Sequence, residues 1–311
     1  MPGGVVRPLH QLRPERAELV VLHYSGYAPG LEDVLARAPR SLLVSHNVTP
    51  PQYFWASDPA EAVRCQLARV QLGRLAGVAG ALAGVSAYNT AELRDLSGRD
   101  ATVIPILFDR RPLPASRTPG AGARAPGDPA SPTVLFVGRL VPHKRQDLVI
   151  RAFARFRRSR PGARLVLVGT PLSADFAAAL GELAQRLAPG GVTFRSGLLP
   201  GELWRHYRAA TAFLCLSEHE GFCIPLLESF HFGVPVIARA AGAVGEVIGD
   251  AGVLVDDGDG AVVIAELLGI VADDDELRDE LTARGERRLD GYRYERTAAR
   301  LRSAIDAVTA A

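Results

Sequence analysis

Thr133-Val134-Leu135-Phe136-Val137-Gly138-Arg139-Leu140-Val141-Pro142-His143-Lys144 reads as an apolar strand running into a glycine-opened basic loop. A helical period from Arg145 to Ser159 follows and completes a strand–loop–helix unit. Such units hold phosphates in α/β proteins, because loop N–H groups and the helix's positive end face the same sheet edge. Lys144 is the only lysine among the 36 lysines and arginines of the chain. Codon bias in a GC-rich genome would replace lysine by arginine in this way. A lysine kept against that bias supplies what arginine's planar fork does not, a compact and rotatable point charge. Drift on a solvated loop would leave the same mark.

Working outward, 311 residues suggest about two domains. With 48% hydrophobic and 23% charged residues the composition is that of a globular protein. A net charge of +2 gives no whole-chain case for nucleic acid, and none is expected as a partner. No apolar run approaches the ~18 residues of a membrane span, and the first 14 residues lack the apolar core of a secretory signal. Cys65, Cys215 and Cys223 are odd in number and lack paired-ligand spacing, which argues for a reducing compartment and against a disulfide frame or zinc site. The expected location is a bacterial cytoplasm.

Residues 110–132 are crowded with Pro, Gly, Ala and Ser and carry no apolar period. They read as a linker, taken as 111–132, between a domain over 1–110 and one over 133–290, with a last helix over 291–311. In the first domain, strands are expected at Leu19–Leu22, Ser41–Val44, Ala81–Val85 and Thr102–Ile104. Asp58-Pro59-Ala60-Glu61 opens a helix to about Leu75, with Val63, Leu67, Val70 and Leu75 inward. Asn89-Thr90-Ala91-Glu92 opens another. The second domain alternates more cleanly, with strands near Thr133–Val137, Arg164–Val168, Val192–Phe194, Ala212–Leu216, Val234–Ala238 and Gly252–Val255. Continuous apolar strands between helices imply parallel sheets covered on both faces.

The other informative stretch is Ser217-Glu218-His219-Glu220-Gly221-Phe222-Cys223-Ile224-Pro225-Leu226-Leu227-Glu228. It follows a strand, and Pro225 suits a helix start. Glu220 then lies in the loop beyond the strand's C-terminal end, and Glu228 one turn inside the helix. Glu218 and His219 read as rim residues. The spacing resembles the E-x7-E signature of retaining GT-B glycosyltransferases, glycosyltransferase family 4 in particular. Gly138–Phe153, Phe232–Ala238 and Gly245–Asp259 are similar to that family in the same order, so the resemblance covers essentially the whole second domain.

The resemblance implies a GT-B fold of two Rossmann-like domains facing a cleft, and transfer of a hexosyl group from a UDP- or GDP-linked sugar with retention. It implies that Arg139 and Lys144 hold the donor diphosphate and that Glu228 takes the ribose hydroxyls. Glu220 and the backbone of Gly221, Phe222 and Cys223 would bind the transferred sugar. In the fainter first domain, His46 ends the run Leu43-Val44-Ser45, and His23 repeats the pattern one unit earlier. The family places a histidine at the His46 position facing the reacting sugar, so His46 and Glu220 are the candidate catalytic residues. Two cations make a metal unnecessary, no Asp-x-Asp pair stands near them, and no cofactor is expected. Each residue also has a bland reading: Glu228 as a solvated helix carboxylate, Glu220 as a helix cap, Arg139 in an ion pair, His46 as a satisfied structural histidine.

The family's opening strand and Gly-rich loop have no counterpart before Leu19, so the first domain reads as shortened, with an unpaired sheet edge that another copy could cover. The acceptor, whether a sugar, a lipid-linked or a small molecule, is not specified. Arg64, Arg69 and Arg74 on the helix from Asp58 suit peripheral contact with anionic lipid or a solvated face. A donor-binding partner without catalysis and a sugar-nucleotide epimerase are the alternative readings.

Overall fold

The computed structural model describes residues 8–108 and 131–310. All of the expected linker except Ser131 and Pro132 therefore lies outside the described residues. The chain divides into two compact units, Met1–Leu107 with Glu295–Ala311, and Phe108–Tyr294. Among the described residues, no helix is long and apolar enough to cross a membrane.

The first unit alternates β1 (Val20–Tyr24), α1 (Leu31–Arg37), β2 (Ser41–Ser45), α2 (Pro59–Val78), β3 (Ala81–Gly84), α3 (Ala87–Ser97) and β4 (Thr102–Val103). Its sheet is parallel and ordered β1-β2-β3-β4. Apolar side chains of β2 and β3 pack with α2 and α3 around Leu43, Leu72, Leu75, Leu82 and Leu93. Asp58 caps α2 by accepting from Glu61 N at 2.9 Å, and Pro59 sits at the first helical position.

The buried face of α2 differs from the expected one. Val63, Leu67 and Val70 are 43–47% exposed. The buried face is instead Ala62, Cys65, Ala68, Leu72, Leu75 and Ala76, so only Leu75 was placed correctly. Two apolar stripes run along this helix, and the one carrying the larger residues Val63, Leu67 and Val70 faces outward. Gln71 fixes the rotation: its side chain is buried and bonds Ala28 N, Ala28 O, Glu32 Oε2 and the Tyr24 hydroxyl. Turning α2 the other way would cost those four bonds. In α3 the start is three residues earlier than Asn89-Thr90 suggested, because Ser86 is the cap and accepts from Asn89 N.

The second unit runs β5 (Thr133–Val137), α4 (Gln146–Ser159), β6 (Arg164–Val168), α5 (Ala174–Leu187), β7 (Val192–Arg195), α6 (Pro200–Ala209) and β8 (Ala212–Cys215). It continues with α7 (Ile224–His231), β9 (Val236–Arg239), α8 (Val244–Ile248), β10 (Val253–Val255), α9 (Ala261–Asp273) and α10 (Asp275–Leu289). Helix α11 (Tyr294–Ala310) falls with the first unit from Glu295 onward. The six strands are all parallel, in the order β10-β9-β8-β5-β6-β7. Successive strands step outward from β5 to β7; the chain then returns to the other side of β5 and steps outward again from β8. The reversal lies between β5 and β8, which pair through Val134–Ala212 and Leu135–Phe213.

Candidate functional site

In doubly wound sheets the helices leaving the two strands at the reversal lie on opposite faces, which opens a crevice at the C-terminal strand ends. Here that edge carries the loops after β5 and after β8, the two stretches singled out from the sequence. They are tied together by backbone: Glu218 N donates to His143 O at 2.7 Å. The Arg145 guanidinium adds a side-chain tie, pairing with Glu218 as well as Asp147. Arg145 itself takes a left-handed conformation, φ 51°, to turn the chain into α4.

Lys144 and Glu220 meet across this edge, with Nζ 2.5 Å from Oε1. Ser217 Oγ donates to the same oxygen at 2.8 Å, and the Cys215 thiol lies 3.9 Å from it. Glu220 is 7% exposed and so is held, not solvated. Burial works against the charge on Lys144, but the Glu220 carboxylate with the neighbouring Cys223 and Cys215 together hold the ammonium above the usual lysine range. The loop is fixed from behind by Gly242, whose φ is 57° and whose added Cβ would fall 2.2 Å from Glu220 O. Ala243 N donates to that same carbonyl. Only glycine combines this left-handed turn with so close an approach.

Glu228, on α7, receives the Tyr207 hydroxyl at 2.6 Å. Burial raises its carboxyl above the usual range, with the tyrosine bond opposing. Tyr207 is fully buried and stacked on Phe232, ring centres 5.3 Å apart. Arg139 stands exposed in the β5 loop and, among the described residues, makes no ion pair; its carbonyl accepts from Gln146 at 3.0 Å. The Phe222 side chain points into the interior against Tyr292, which leaves its backbone as the part able to meet a ligand.

Several participants were not anticipated. Ser217 and Tyr207 each hold one of the two glutamates, and Gly242 lies 22 residues beyond the carbonyl it makes room for. Two corrections belong here. His219 is 5% exposed and packs edge-on to the His143 ring, so it is interior and not rim. Burial, with Lys144, His219 and Arg139 adding to it, pushes His143 down to about 3. And although their spacing gave no sign of it, Cys215 and Cys223 lie side by side, Sγ to Sγ 3.9 Å.

His46 belongs to the first unit. It follows β2, where its N–H donates to Tyr24 O, and its Nε2 lies 2.7 Å from Nδ1 of His23. Burial and the neighbouring His23 hold His46 below the ordinary histidine range. The two histidines are partners, a pairing their repeated position at strand ends foreshadows.

A family model described as glycosyl transferases group 1 matches residues 125–288, just over half of the chain. The chain belongs to that family. A D-inositol 3-phosphate glycosyltransferase of Acidothermus cellulolyticus is 38% identical over 156 residues, which are 46% of this chain and 35% of that protein. A GDP-mannose-dependent alpha-(1-6)-phosphatidylinositol monomannoside mannosyltransferase of Mycobacterium tuberculosis is 31% identical over 227 residues, 69% of this chain and 55% of the relative. This group 1 chain thus spans about a third to just over half of such curated relatives. Among solved structures, Anabaena HepE in complex with UDP and glucose shares the fold, with a TM-score of 0.73, 17% identity and coverage of 94% of this chain and 79% of that one. WaaG, a glycosyltransferase involved in lipopolysaccharide biosynthesis, gives 0.64 at 20% identity, over 88% of this chain and 79% of that one. The α/β fold is accordingly of the GT-B glycosyltransferase type.

Proposed function

We propose that this chain transfers a hexosyl group from a nucleoside diphosphate sugar to a hydroxyl acceptor, with retention of anomeric configuration. The observation that carries the reading is the buried Lys144–Glu220 pair at the sheet's reversal, flanked by an uncommitted Arg139. Lys144 neutralises Glu220 while no donor is bound. An incoming diphosphate competes for the ammonium, with Arg139 as the second cation. Glu220 is then released to accept hydrogen bonds from the sugar hydroxyls, together with the backbone N–H groups of Gly221, Phe222 and Cys223. Glu228, oriented by Tyr207, takes the ribose hydroxyls.

When the anomeric C–O bond breaks, its electron pair leaves with the diphosphate. Fixed cations that meet this charge lower the barrier by about 3 kcal/mol for each well-placed contact. Arg139 and Lys144 thereby take the part a divalent metal would play, and transfer is expected to survive a chelator. His46 is assigned to orienting the reacting sugar, as a neutral ring.

The test is melting with UDP and with GDP, followed by transfer from labelled UDP- and GDP-sugars. Inositol phosphates and phosphatidylinositol mannosides are the first acceptors to try, because the named relatives act on such compounds. A nucleotide shift that tracks Lys144, with labelled product, supports the reading; no shift with either nucleotide and no product refutes it. A second reading, donor binding without turnover, draws on the first unit, whose described strands run β1 to β4 without a reversal. A nucleotide shift with no product from any donor would select it.

A further inference from the structure

Cys223 occupies a backbone position that an L-residue enters at a cost. Its φ and ψ are both 69°, in the left-handed region, where it caps the start of α7. Among the described residues only Asn47 and Arg145 share a positive φ without being glycine. Glycine would sit there without strain, and the chain uses glycine 31 times. A cysteine at such a place costs about 1 kcal/mol or more of backbone strain. The strain places a thiol beside Cys215, and with Glu220 the two form a buried group whose ligand atoms all lie within 4.8 Å of one another.

The spacing suits one ion. Two sulfurs bound at about 2.3 Å with tetrahedral angles stand about 3.8 Å apart, and the two thiols here are 3.9 Å apart. The Glu220 oxygen is 3.9 Å from Cys215 Sγ, and the Ser217 hydroxyl 3.4 Å. The charges also close. Two thiols that each release one proton, with Glu220, offer three negative charges. A divalent ion and Lys144 offer three positive ones. The Glu220 oxygen nearest the thiols, Oε1, is the one Lys144 now holds, so an ion that takes it moves the ammonium to the second carboxylate oxygen. Paired thiolates with one carboxylate select a thiophilic ion of the zinc class over magnesium or calcium.

We infer that Cys215, Cys223 and Glu220 form a binding site for a thiophilic divalent cation, with Ser217 beside it. Occupancy withdraws Glu220 from the hydroxyls of the donor sugar and draws Lys144 away from the diphosphate. The ion is therefore an inhibitor of donor binding, a consequence that rests on the function proposed above; the site itself does not.

The reduced full-length chain is titrated with Cd2+, and the ultraviolet cadmium–thiolate absorption is read against a competing chelator. One ion per chain is expected, in the wild type and in Cys65→Ala alike. Cys215→Ala and Cys223→Gly should each weaken binding by on the order of a hundredfold, the scale seen when a metal's supporting groups are removed. Cys223→Gly relieves the backbone strain, so a well-folded variant that has lost the ion is the informative case. In parallel, Zn2+ should suppress the UDP or GDP melting shift of the wild type and leave that of Cys215→Ala in place. The site is overturned if the wild type shows no cadmium–thiolate absorption, or if binding follows Cys65, or if it persists in both Cys215→Ala and Cys223→Gly. Cadmium held by both thiols in a chain that no nucleotide shifts would uphold the site and remove the glycosyl-transfer reading.

Discussion

The loop edges of the two sheets are built differently. In the second unit the sheet reverses between β5 and β8, and that edge carries a charged pair with a buried carboxylate, held by the Ser217 hydroxyl and by its own backbone carbonyl, which Ala243 N bonds and Gly242 makes room for. In the first unit the described strands run in order without reversal, and the edge carries two histidines whose ring nitrogens meet each other. The contrast teaches where preorganisation has been spent. Under the proposed function the charges that would meet a diphosphate are fixed before it arrives, which is what electrostatic stabilisation requires. The role proposed for His46, orienting an uncharged sugar, would need far less of that scaffolding.

The largest break in this comparison is expected at Gly242. Gly242→Ala puts a Cβ 2.2 Å from Glu220 O on a left-handed residue. It should cost about 3 kcal/mol in stability and abolish any nucleotide shift. The counterpart in the first unit is Gly77 on α2, where an added Cβ meets nothing within 4 Å. Gly77→Ala should stabilise by about 0.5–1 kcal/mol. Thermal melting of both variants reads the opposite signs.

Next comes Tyr207→Phe, which leaves the half-buried Glu228 without its donor. A loss of about 1–2 kcal/mol in nucleotide affinity, measured by calorimetry, is expected. Unchanged affinity would separate Glu228 from the ribose.

A pH scan sharpens the contrast further. His46 and His143 are both held neutral in the fold, the latter down to about 3. The unfolded chain protonates them near 6.5, so the stability they allow is complete above that pH and is lost as pH falls below it. Each contributes at most about 1.4 kcal/mol per pH unit. Melting from pH 8 to pH 4 should fall more steeply in the wild type than in His143→Leu. His46→Gln should shed a smaller part of the slope, since its ring lies nearer the surface.

The smallest effect is expected on the outer face of α2. Leu67→Ala should change stability by no more than about 0.5 kcal/mol, where Leu72→Ala, on the buried face, should cost about 2–5. Equal costs would restore the orientation first expected for that helix.

The same helix shows how far the sequence could be read. Each strand that continuous apolar runs announced is present, β5 and β6 to the residue, because a strand buried on both faces leaves no other pattern. The rotation of α2 was not legible, since it is set by Gln71, a polar residue whose four partners spacing does not reveal. The positions of Lys144, Glu220 and Glu228 were legible because each lies in the loop or the first turns that follow a strand. Gly242, Tyr207 and the meeting of Cys215 with Cys223 were not. Those contacts arise from strand order and from one strained φ, neither of which spacing records.

The most direct measurement compares the UDP and GDP melting shifts of the wild type with those of Lys144→Ala and of Arg139→Ala. The account predicts a concentration-dependent rise for one nucleotide in the wild type, a smaller rise in Arg139→Ala, and nearly none in Lys144→Ala. A shift of full size in Lys144→Ala would contradict it.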